Sequence, residues 1–319
     1  MLLGIEIGGT KLQLGVGTGD GPPLAALERL DVKPQHGAEG IRRQIEEAAK
    51  PLIERHGVTR IGIGFGGPVD CGRGRVIVSH QVEGWKDFPL VEWCEKTLGL
   101  PTLLANDSDS AGLAEARFGG GKGHRVVFYN NIGSGIGGAL VIDGQLYQGG
   151  GGVASEIGHL RPGLEAERPD QDLESIASGW AIAAHARQLI QEGRFQPEQT
   201  SDLVARCEGA IERLDTRILA RAAEAGNALA LTVFDRACRA AGWALAQAIT
   251  LLAPSAVVMG GGVALAGETV FLGPLRRYVD RYMFPPLLGT YRIVPAALGE
   301  EVVVHGVLAM AGARVGGRW

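Results

Sequence analysis

The chain has 319 residues, of which 45% are hydrophobic and 21% charged, and it carries a formal net charge of -4 at pH 7. A chain of this length is longer than one that typically folds around a single hydrophobic core, so we expect two domains. The weak negative charge gives no indication of a nucleic-acid partner or of an anionic membrane surface.

Four cysteines are scattered along the chain without a CxxC pair. This pattern argues against a disulfide framework and against a zinc site built from cysteines. The first residues lead directly into a strand pattern, and no stretch of about 18 uncharged apolar residues occurs. We therefore expect a cytoplasmic protein with no membrane partner.

The first part of the chain shows strand and helix patterns in alternation. In chain order we predict strands Leu2–Ile7, Lys11–Val16 and Leu24–Val32, helix Ala38–His56, strand Arg60–Phe65, helix Leu90–Leu98, strand Thr102–Ala105 and helix Ser108–Phe118. The first two strands form a hairpin around a glycine corner. Strands that alternate with helices predict a largely parallel sheet covered on both faces.

The pattern then restarts after Gly119–Gly123, which we interpret as a domain boundary. The later predictions are strands Arg125–Asn131 and Ala139–Ile142, helices Leu173–Gln191, Ser201–Glu224 and Asn227–Leu252, strand Ala256–Met259 and a final helix Glu301–Arg314. A strand, a glycine turn and a second strand repeat the opening hairpin. This weak internal duplication predicts two similar domains that face one another across a cleft.

Glycine-rich turns are the most unusual feature, since the chain has 50 glycines. The first turn, Gly8-Gly9-Thr10-Lys11, offers backbone N–H groups, a hydroxyl and a cation that can hold phosphoryl oxygens. Gly133–Gly138 and Gly260–Gly262 are two further turns of this kind. Each turn alone is typical of an ordinary hairpin or strand end, but the three together indicate a nucleotide-binding site. Neither a Walker P-loop nor a dinucleotide fingerprint is present.

Asn106-Asp107 ends an apolar strand and precedes a helix, which places the Asp107 carboxylate at the rim of the predicted sheet. An aspartate there can accept a proton from a substrate hydroxyl during phosphoryl transfer. The alternative is that Asp107 or Ser108 caps the helix, and the dipeptide alone favours that role.

Other polar residues flank glycine-rich or helix-starting segments, and they could hydrogen-bond several sugar hydroxyls: Glu156, His159 and Glu174. Each, viewed separately, is more often a solvated charge or a capping group. Gly66–Asp70 could be a simple turn, and Trp85 a core aromatic. The residues by themselves predict an enzyme that binds a phosphate compound in a cleft.

Taken together and in order, these segments resemble the ROK family of bacterial sugar kinases and related repressors. The residues that carry the resemblance are Glu6–Lys11, Gly64–Asp70, Ala105–Glu115, Gly133–Gly138, Ser155–His159, Leu173–Gly179 and Gly260–Gly262. The resemblance implies an α/β, two-domain ribonuclease H-like (actin-like ATPase) fold with a cleft between the domains. It implies a smaller domain of residues 1–118 plus 300–319 and a larger one of residues 119–299.

The resemblance also implies a glucokinase-like activity, the ATP-dependent phosphorylation of a hexose or N-acetyl amino sugar with Asp107 as the general base. The sugar would be bound by Gly66, Asn106, Glu156, His159 and Glu174. The nucleotide would be bound by Gly8, Gly9, Thr10, Lys11, Gly133, Ser134, Gly135, Gly260 and Gly261. Mg²⁺ would bridge the phosphates, near Glu6, and a homodimer that binds no nucleic acid is implied.

Three departures from the family pattern affect these expectations. Glu6 stands where the family usually has aspartate, which could weaken catalysis. The cysteine-rich loop that forms a zinc site in the family is missing between His159 and Glu174, so we expect no zinc. The asparagine expected before Trp85 is replaced, and the residues in its place are Ser79, His80 and Gln81.

Without zinc, the imidazole of His159 must be held by packing or by hydrogen bonds. The candidates for this task are Arg161, Glu165, Glu167, Arg168 and Asp170. The departures also keep open an alternative function, that of a catalytically weak, sugar-binding regulatory protein derived from such a kinase. A DNA-binding repressor is disfavoured, because the chain begins with the strand of the first glycine motif.

Overall fold

The structure is a computed structural model that describes residues 1–79 and 81–313. His80 and Arg314, the predicted end of the last helix, lie outside the described residues, as does the rest of the tail to residue 319. Contacts divide the chain into two compact units. The first contains Met1–Arg125, Ala139–Ala154 and the chain from Ala296 onward, and the second contains Val126–Gly138 and Ser155–Pro295. The boundaries expected from the sequence stay a prediction.

The strands follow the predicted order closely in the first hundred residues and include several short ones that the sequence did not reveal. They are β1 Leu2–Ile7, β2 Lys11–Gly17, β3 Ala26–Asp31, β4 Arg60–Phe65, β5 Val69–Asp70, β6 Arg75–Val76, β7 Thr102–Asn106, β8 Val126–Ile132, β9 Ile136–Ile142, β10 Gln145–Tyr147, β11 Ala256–Gly260 and β12 Arg292–Pro295. The helices are α1 Gly37–His56, α2 Leu90–Leu98, α3 Asp107–Phe118, α4 Glu174–Ala177, α5 Gly179–Gln191, α6 Pro197–Arg206, α7 Thr216–Glu224, α8 Ala228–Leu252, α9 Gly273–Tyr282 and α10 Val302–Gly312.

The first sheet has the order β3-β2-β1-β4-β7. Its β1–β2 and β2–β3 pairs are antiparallel, whereas its β1–β4 and β4–β7 pairs are parallel. The expectation of a largely parallel sheet is therefore wrong, because the opening hairpin adds antiparallel strands to one side of β1. The parallel half carries β4 and β7, whose ends position candidate residues.

Helix α10 packs closely on the parallel half of the first sheet and on α3. A Cβ atom at Gly62 of β4 would come within 2.4 Å of the Val307 carbonyl oxygen. A Cβ at Gly306 would come within 1.9 Å of the Ser110 carbonyl oxygen. Glycine is required at both positions because the backbones approach more closely than any side chain allows. Helix α10 is thus built into the first unit.

The second sheet has the order β10-β9-β8-β11-β12. If the strands of each sheet are numbered one to five in chain order, both sheets have the same spatial order, 3-2-1-4-5. In the second sheet β11 pairs parallel with β8 and with β12, as β4 pairs with β1 and β7 in the first. The internal duplication predicted from the glycine turns is confirmed at the level of topology.

Two long predicted helices are interrupted, and side-chain caps explain both breaks. The helix expected over Leu173–Gln191 stops before Ser178, whose hydroxyl accepts a hydrogen bond from the Ala181 N–H at 3.3 Å and starts α5. The helix expected over Ser201–Glu224 divides into α6 and α7, and Asp215 caps α7 through the Ile218 N–H at 2.8 Å. Serine and aspartate compete with helical bonding in this way, which apolar periodicity does not reveal.

A buried carboxylate anchors the C-terminal end of α3. Glu115 is fully buried, and its oxygens accept hydrogen bonds from the N–H groups of Gly120, Ala297 and Leu298 at 2.7–2.9 Å. A buried charge needs such compensation, and these three donors supply it. Glu115 thereby joins α3 to the segment that precedes α10.

The longest described helix is α8, and it carries Asp235, Arg236 and Arg239. Within residues 1–79 and 81–313, no helix is both long and apolar enough to cross a membrane.

Candidate functional site

The carboxyl ends of three parallel strands lie side by side in the first unit. Ile7 pairs with Phe65 across β1 and β4, and Phe65 pairs with Asn106 across β4 and β7. The next residues along each strand, Gly8, Gly66 and Asp107, therefore follow one edge of the sheet. The edge is reinforced by a hydrogen bond from the Gly66 N–H to the Ile7 carbonyl oxygen at 2.9 Å. Ligands of α/β proteins bind at such strand ends.

Asn106 is the residue that caps α3, so the capping role expected for Asp107 or Ser108 falls on their neighbour. Its Oδ1 accepts hydrogen bonds from the N–H groups of Ser108 at 2.8 Å and Asp109 at 3.2 Å. Its Nδ2 donates to the Gly67 carbonyl oxygen at 3.2 Å. As a candidate sugar ligand, Asn106 thus has one hydrogen of Nδ2 left to offer.

The Asp107 carboxylate lies at the start of α3 in a partly buried position. Its Oδ1 accepts a hydrogen bond from the Ser108 N–H at 2.7 Å, and a Cβ placed on Gly66 would lie 3.4 Å from its Oδ2. Loss of water raises the pKa of Asp107 to about 6, with a further rise from the charge of Glu6 and a partial offset by Ser108. A carboxylate with this pKa is ionised at pH 7 and is a better proton acceptor than an ordinary aspartate.

Glu6 is held by two partners on the neighbouring strand β2. Its Oε1 lies 3.3 Å from Lys11 Nζ, and its Oε2 accepts a hydrogen bond from Gln13 Nε2 at 2.7 Å. Burial raises the pKa of Glu6, while Lys11 and Gln13 oppose that rise. The extra methylene of glutamate is thus accommodated by a defined network.

Gln13 is a site residue that the sequence reasoning missed. It is fully buried, and its Nε2 also donates to the Glu300 carbonyl oxygen at 2.8 Å. The signal was available, because Gln13 is a polar residue within the apolar strand Leu12–Val16. A buried amide in such a strand needs specific partners.

The first glycine turn closes through a hydrogen bond from the Gly8 N–H to the Lys11 carbonyl oxygen at 2.9 Å. Thr10 is exposed beside it, and Lys11 keeps 35% of its side chain exposed. The side chain of Gln81 lies over Gly9, where a Cβ atom would overlap with it. The turn thus presents a hydroxyl and a cation, whereas the Gly8 N–H, expected from the sequence to bind a phosphate, is already bonded to the Lys11 carbonyl oxygen.

In the second unit, two glycine segments follow neighbouring strand ends. Gly260 of β11 pairs with Asn131 of β8, and the turn Gly133–Gly135 follows β8 directly. Gly261 has φ of 87°, and a Cβ there would come within 2.3 Å of the Ile132 carbonyl oxygen. The turn is shorter than predicted, because β9 already begins at Ile136. The structure brings the second and third glycine segments together.

Asn131 is a second residue missed from the sequence. Its Oδ1 would lie 2.6 Å from a Cβ on Gly261, and its Nδ2 would lie 3.8 Å from a Cβ on Gly133. The Asn131 amide therefore stands beside both glycine segments and is suited to hydrogen-bond the same ligand.

Glu174 supports the second glycine turn. Its Oε2 accepts a hydrogen bond from the Ile136 N–H at 2.6 Å. The turn is also joined to the start of α5, because the Gly179 N–H donates to the Gly133 carbonyl oxygen at 2.7 Å. The break between α4 and α5, where Thr216 Oγ1 donates to the Gly179 carbonyl oxygen at 3.0 Å, thus buttresses this turn.

The candidate sugar ligands of the second unit lie near one another. Burial raises the pKa of Glu156, the charge of His159 lowers it and that of Glu174 raises it. These effects on Glu156 indicate that His159 and Glu174 lie in its vicinity. The Nδ1 atom of His159 lies 3.2 Å from Asp172 Oδ2.

Asp172 was not among the residues predicted to hold His159. Of those candidates, Arg161 donates to the Glu167 carbonyl oxygen at 2.7 Å, and Arg168 pairs with Asp170 at 2.6 Å. The structure assigns the contact with His159 to Asp172 instead.

The residues around His159 do not fit a zinc site. The segment from Leu160 to Leu173 contains no cysteine thiolate. Across residues 1–79 and 81–313, no group of three or more His, Cys, Asp or Glu side chains could hold a metal ion. The absence of zinc stays a prediction.

Substitution of Gly135 by alanine tests the support of the second glycine turn by Glu174. A Cβ at Gly135 would lie 2.7 Å from Glu174 Oε2, which must then release the Ile136 N–H. We expect Gly135→Ala to lower the free energy of unfolding by about 1–2 kcal/mol. Gly133→Ala is the matched control, because the nearest atom to its Cβ is Asn131 Nδ2 at 3.8 Å. Equal unfolding midpoints for both variants in urea would contradict this role of Glu174.

The sequence profile described as the ROK family matches residues 2–314. A glucokinase of Thermotoga maritima is 33% identical over 99% of this chain and 98% of its own length. The chain is therefore a member of a family that includes enzymes of that name.

Two known structures are similar to this chain over nearly its whole length. A ROK family glucokinase from Streptomyces griseus, in complex with glucose and AMPPNP, has a TM-score of 0.81 and 32% identity, with 97% of this chain and 98% of that chain covered. A ROK hexokinase from Thermus thermophilus has a TM-score of 0.77 and 29% identity, with 97% of each chain covered. The α/β fold class predicted from the family resemblance is confirmed. Because the family match spans residues 2–314, this protein belongs to the ROK family.

Proposed function

We propose that this protein is an ATP-dependent sugar kinase that phosphorylates a hydroxyl of a hexose or an N-acetyl amino sugar. The observation that carries the proposal is the Asp107 carboxylate, which stands at the end of β7 beside Gly66 with its pKa raised to about 6. Its full-length similarity to glucokinases supports the same reaction. A general base at a strand end is the group that this transfer needs.

In the proposed reaction, Asp107 accepts the proton of the sugar hydroxyl as that oxygen attacks the γ-phosphorus of ATP. The bond between the γ-phosphorus and the β,γ-bridging oxygen breaks, and ADP leaves. Gly66 keeps the space beside Asp107 Oδ2 open, since it has no side chain. Asn106 fixes the start of α3, so that Asp107 is held in place without being the cap itself.

We propose that the other sugar hydroxyls are hydrogen-bonded by Asn106 and by three residues of the second unit, Glu156, His159 and Glu174. Acidic and imidazole groups suit this role because they accept or donate hydrogen bonds to hydroxyls. Glu174 would serve the sugar with Oε1, because Oε2 already holds the Ile136 N–H.

We propose that the phosphates of ATP are bound by the glycine turns. The residues assigned to them are Gly8, Gly9, Thr10, Lys11, Gly133, Ser134 and Gly135, with Gly260 and Gly261 toward the nucleoside. Mg²⁺ would neutralise phosphate charge when bound with ATP, and Glu6, which Lys11 and Gln13 hold in place, would help to hold the ion. Lys11 would add positive charge where the transition state needs it.

We place this activity in the cytoplasm, in a homodimer with neither a nucleic-acid nor a membrane partner. The competing function is that of a catalytically weak sugar-binding protein, which Glu6 suggested from the sequence. The defined partners of Glu6 and the raised pKa of Asp107 favour the kinase.

Replacement of Asp107 by asparagine tests the assignment of the base. We expect Asp107→Asn to lower kcat by about 10²–10⁴-fold, because the amide cannot accept the hydroxyl proton. A coupled assay that follows ADP release, with a panel of hexoses and N-acetyl amino sugars, measures this loss. Calorimetric sugar binding should be retained, which shows that the variant is folded. Turnover equal to that of the wild type would exclude Asp107 as the base.

The pH dependence of kcat/KM, which reports the free enzyme, tests the influence of Glu6 on Asp107. The base must be deprotonated, so kcat/KM should rise with pH through a value of about 6. Removal of the nearby negative charge in Glu6→Gln lowers the pKa of Asp107, and the acid limb should therefore move to lower pH. The control is Glu39→Gln, since this exposed carboxylate pairs with Arg43 on α1. A limb that stays in place, or moves to higher pH, would contradict the coupling of Glu6 with Asp107.

A further inference from the structure

We propose that Asp172 is a positioning residue that fixes the tautomer and orientation of His159 for sugar binding. The proposal rests on the proposed function for its kinetic consequence. Its structural basis is the contact between His159 Nδ1 and Asp172 Oδ2 at 3.2 Å.

Asp172 is itself held more firmly than the histidine. Its side chain is 14% exposed, whereas that of His159 is 66% exposed. Its Oδ1 accepts a hydrogen bond from the Ser175 N–H at 2.9 Å, and its carbonyl oxygen accepts one from Ser175 Oγ at 2.6 Å. The carboxylate thus bridges the start of α4 and the imidazole, so the more buried side chain can orient the more exposed one.

The backbone beside the two residues is joined as well. The N–H of Leu173, the residue after Asp172, donates to the carbonyl oxygen of Leu160, the residue after His159, at 2.9 Å. The His159 N–H donates to the Glu156 carbonyl oxygen at 3.1 Å within a short 3-10 turn. These bonds close the loop 160–172 at its base. The backbone hydrogen bonds therefore bring His159 and Asp172 close together, and the side-chain contact reinforces this arrangement.

The chemistry of the pair decides which tautomer the histidine adopts. An ionised carboxylate only accepts hydrogen bonds, so Nδ1 of His159 carries the hydrogen that faces Asp172. Nε2 then has a free lone pair and can accept a hydrogen bond from a sugar hydroxyl. With the opposite tautomer, Nε2 would donate and would compete with other donors for the same hydroxyl oxygen.

The neighbouring charges of the loop provide a matched control. Arg168 and Asp170 form an exposed pair of their own, with the guanidinium and carboxylate 2.6 Å apart and side chains 70% and 67% exposed. Asp170→Asn therefore removes a carboxylate from the same loop without touching His159.

The test is Asp172→Asn in the full chain. Asparagine keeps an oxygen for the Ser175 N–H and places an NH₂ group opposite Nδ1, which favours the tautomer with hydrogen on Nε2. We expect the ¹⁵N shifts of the His159 ring, recorded at pH 8, to indicate hydrogen on Nδ1 in the wild type and on Nε2 in the variant. We expect KM for the sugar to rise about tenfold with a much smaller change in kcat.

Two results would overturn the inference. One is a wild-type His159 that carries its hydrogen on Nε2, which needs no variant to be observed. The other is an Asp172→Asn variant whose KM matches that of Asp170→Asn. If the wild type shows no turnover, the kinase proposal fails, but the ¹⁵N measurement and the sugar Kd from calorimetry still decide the role of Asp172.

Discussion

The parallel pairing of β1, β4 and β7 is the constraint on which the chemistry of the first unit depends. In this register the strands end together, so the residues that follow them lie along one edge. Gly8, Gly66 and Asp107 come from positions far apart in the sequence, and no local interaction would bring them together. The parallel pairing of β8 and β11 does the same for Gly133 and Gly261 in the second unit. One strand order, used twice, thus creates both sets of candidate ligands.

Each unit contains a carboxylate that is held by specific partners and acts on a neighbouring candidate residue. Lys11 and Gln13 bind the carboxylate of Glu6. The negative charge of Glu6 also helps to raise the pKa of Asp107. Glu174 bonds the backbone of the second glycine turn and also acts electrostatically on Glu156. In both units the burial of charge is compensated by specific donors, as physical chemistry requires.

The sequence was sufficient for features that depend on local patterns. The opening hairpin and helix α8 were predicted because alternation and apolar spacing are strong there, and the ordered motifs identified the family. The breaks at Ser178 and Asp215 were missed, because a capping side chain overrides periodicity. Residues such as Gln13 and Asp172 could not be assigned partners, since their contacts depend on register and loop closure. The roles of Asn106 as cap and Glu174 as turn support also required three-dimensional distances.

The central claim is that this protein is a sugar kinase with Asp107 as its general base and the glycine turns as its phosphate-binding segments. It is tested most directly with the purified wild-type protein. ³¹P NMR of a mixture of protein, ATP, Mg²⁺ and a panel of hexoses and N-acetyl amino sugars would follow the phosphoryl group itself. We expect the γ-phosphate signal of ATP to decrease while ADP and a sugar phosphate ester increase in equal amounts. Sugar binding by calorimetry with no ester formed would contradict the kinase and support a sugar-binding protein instead.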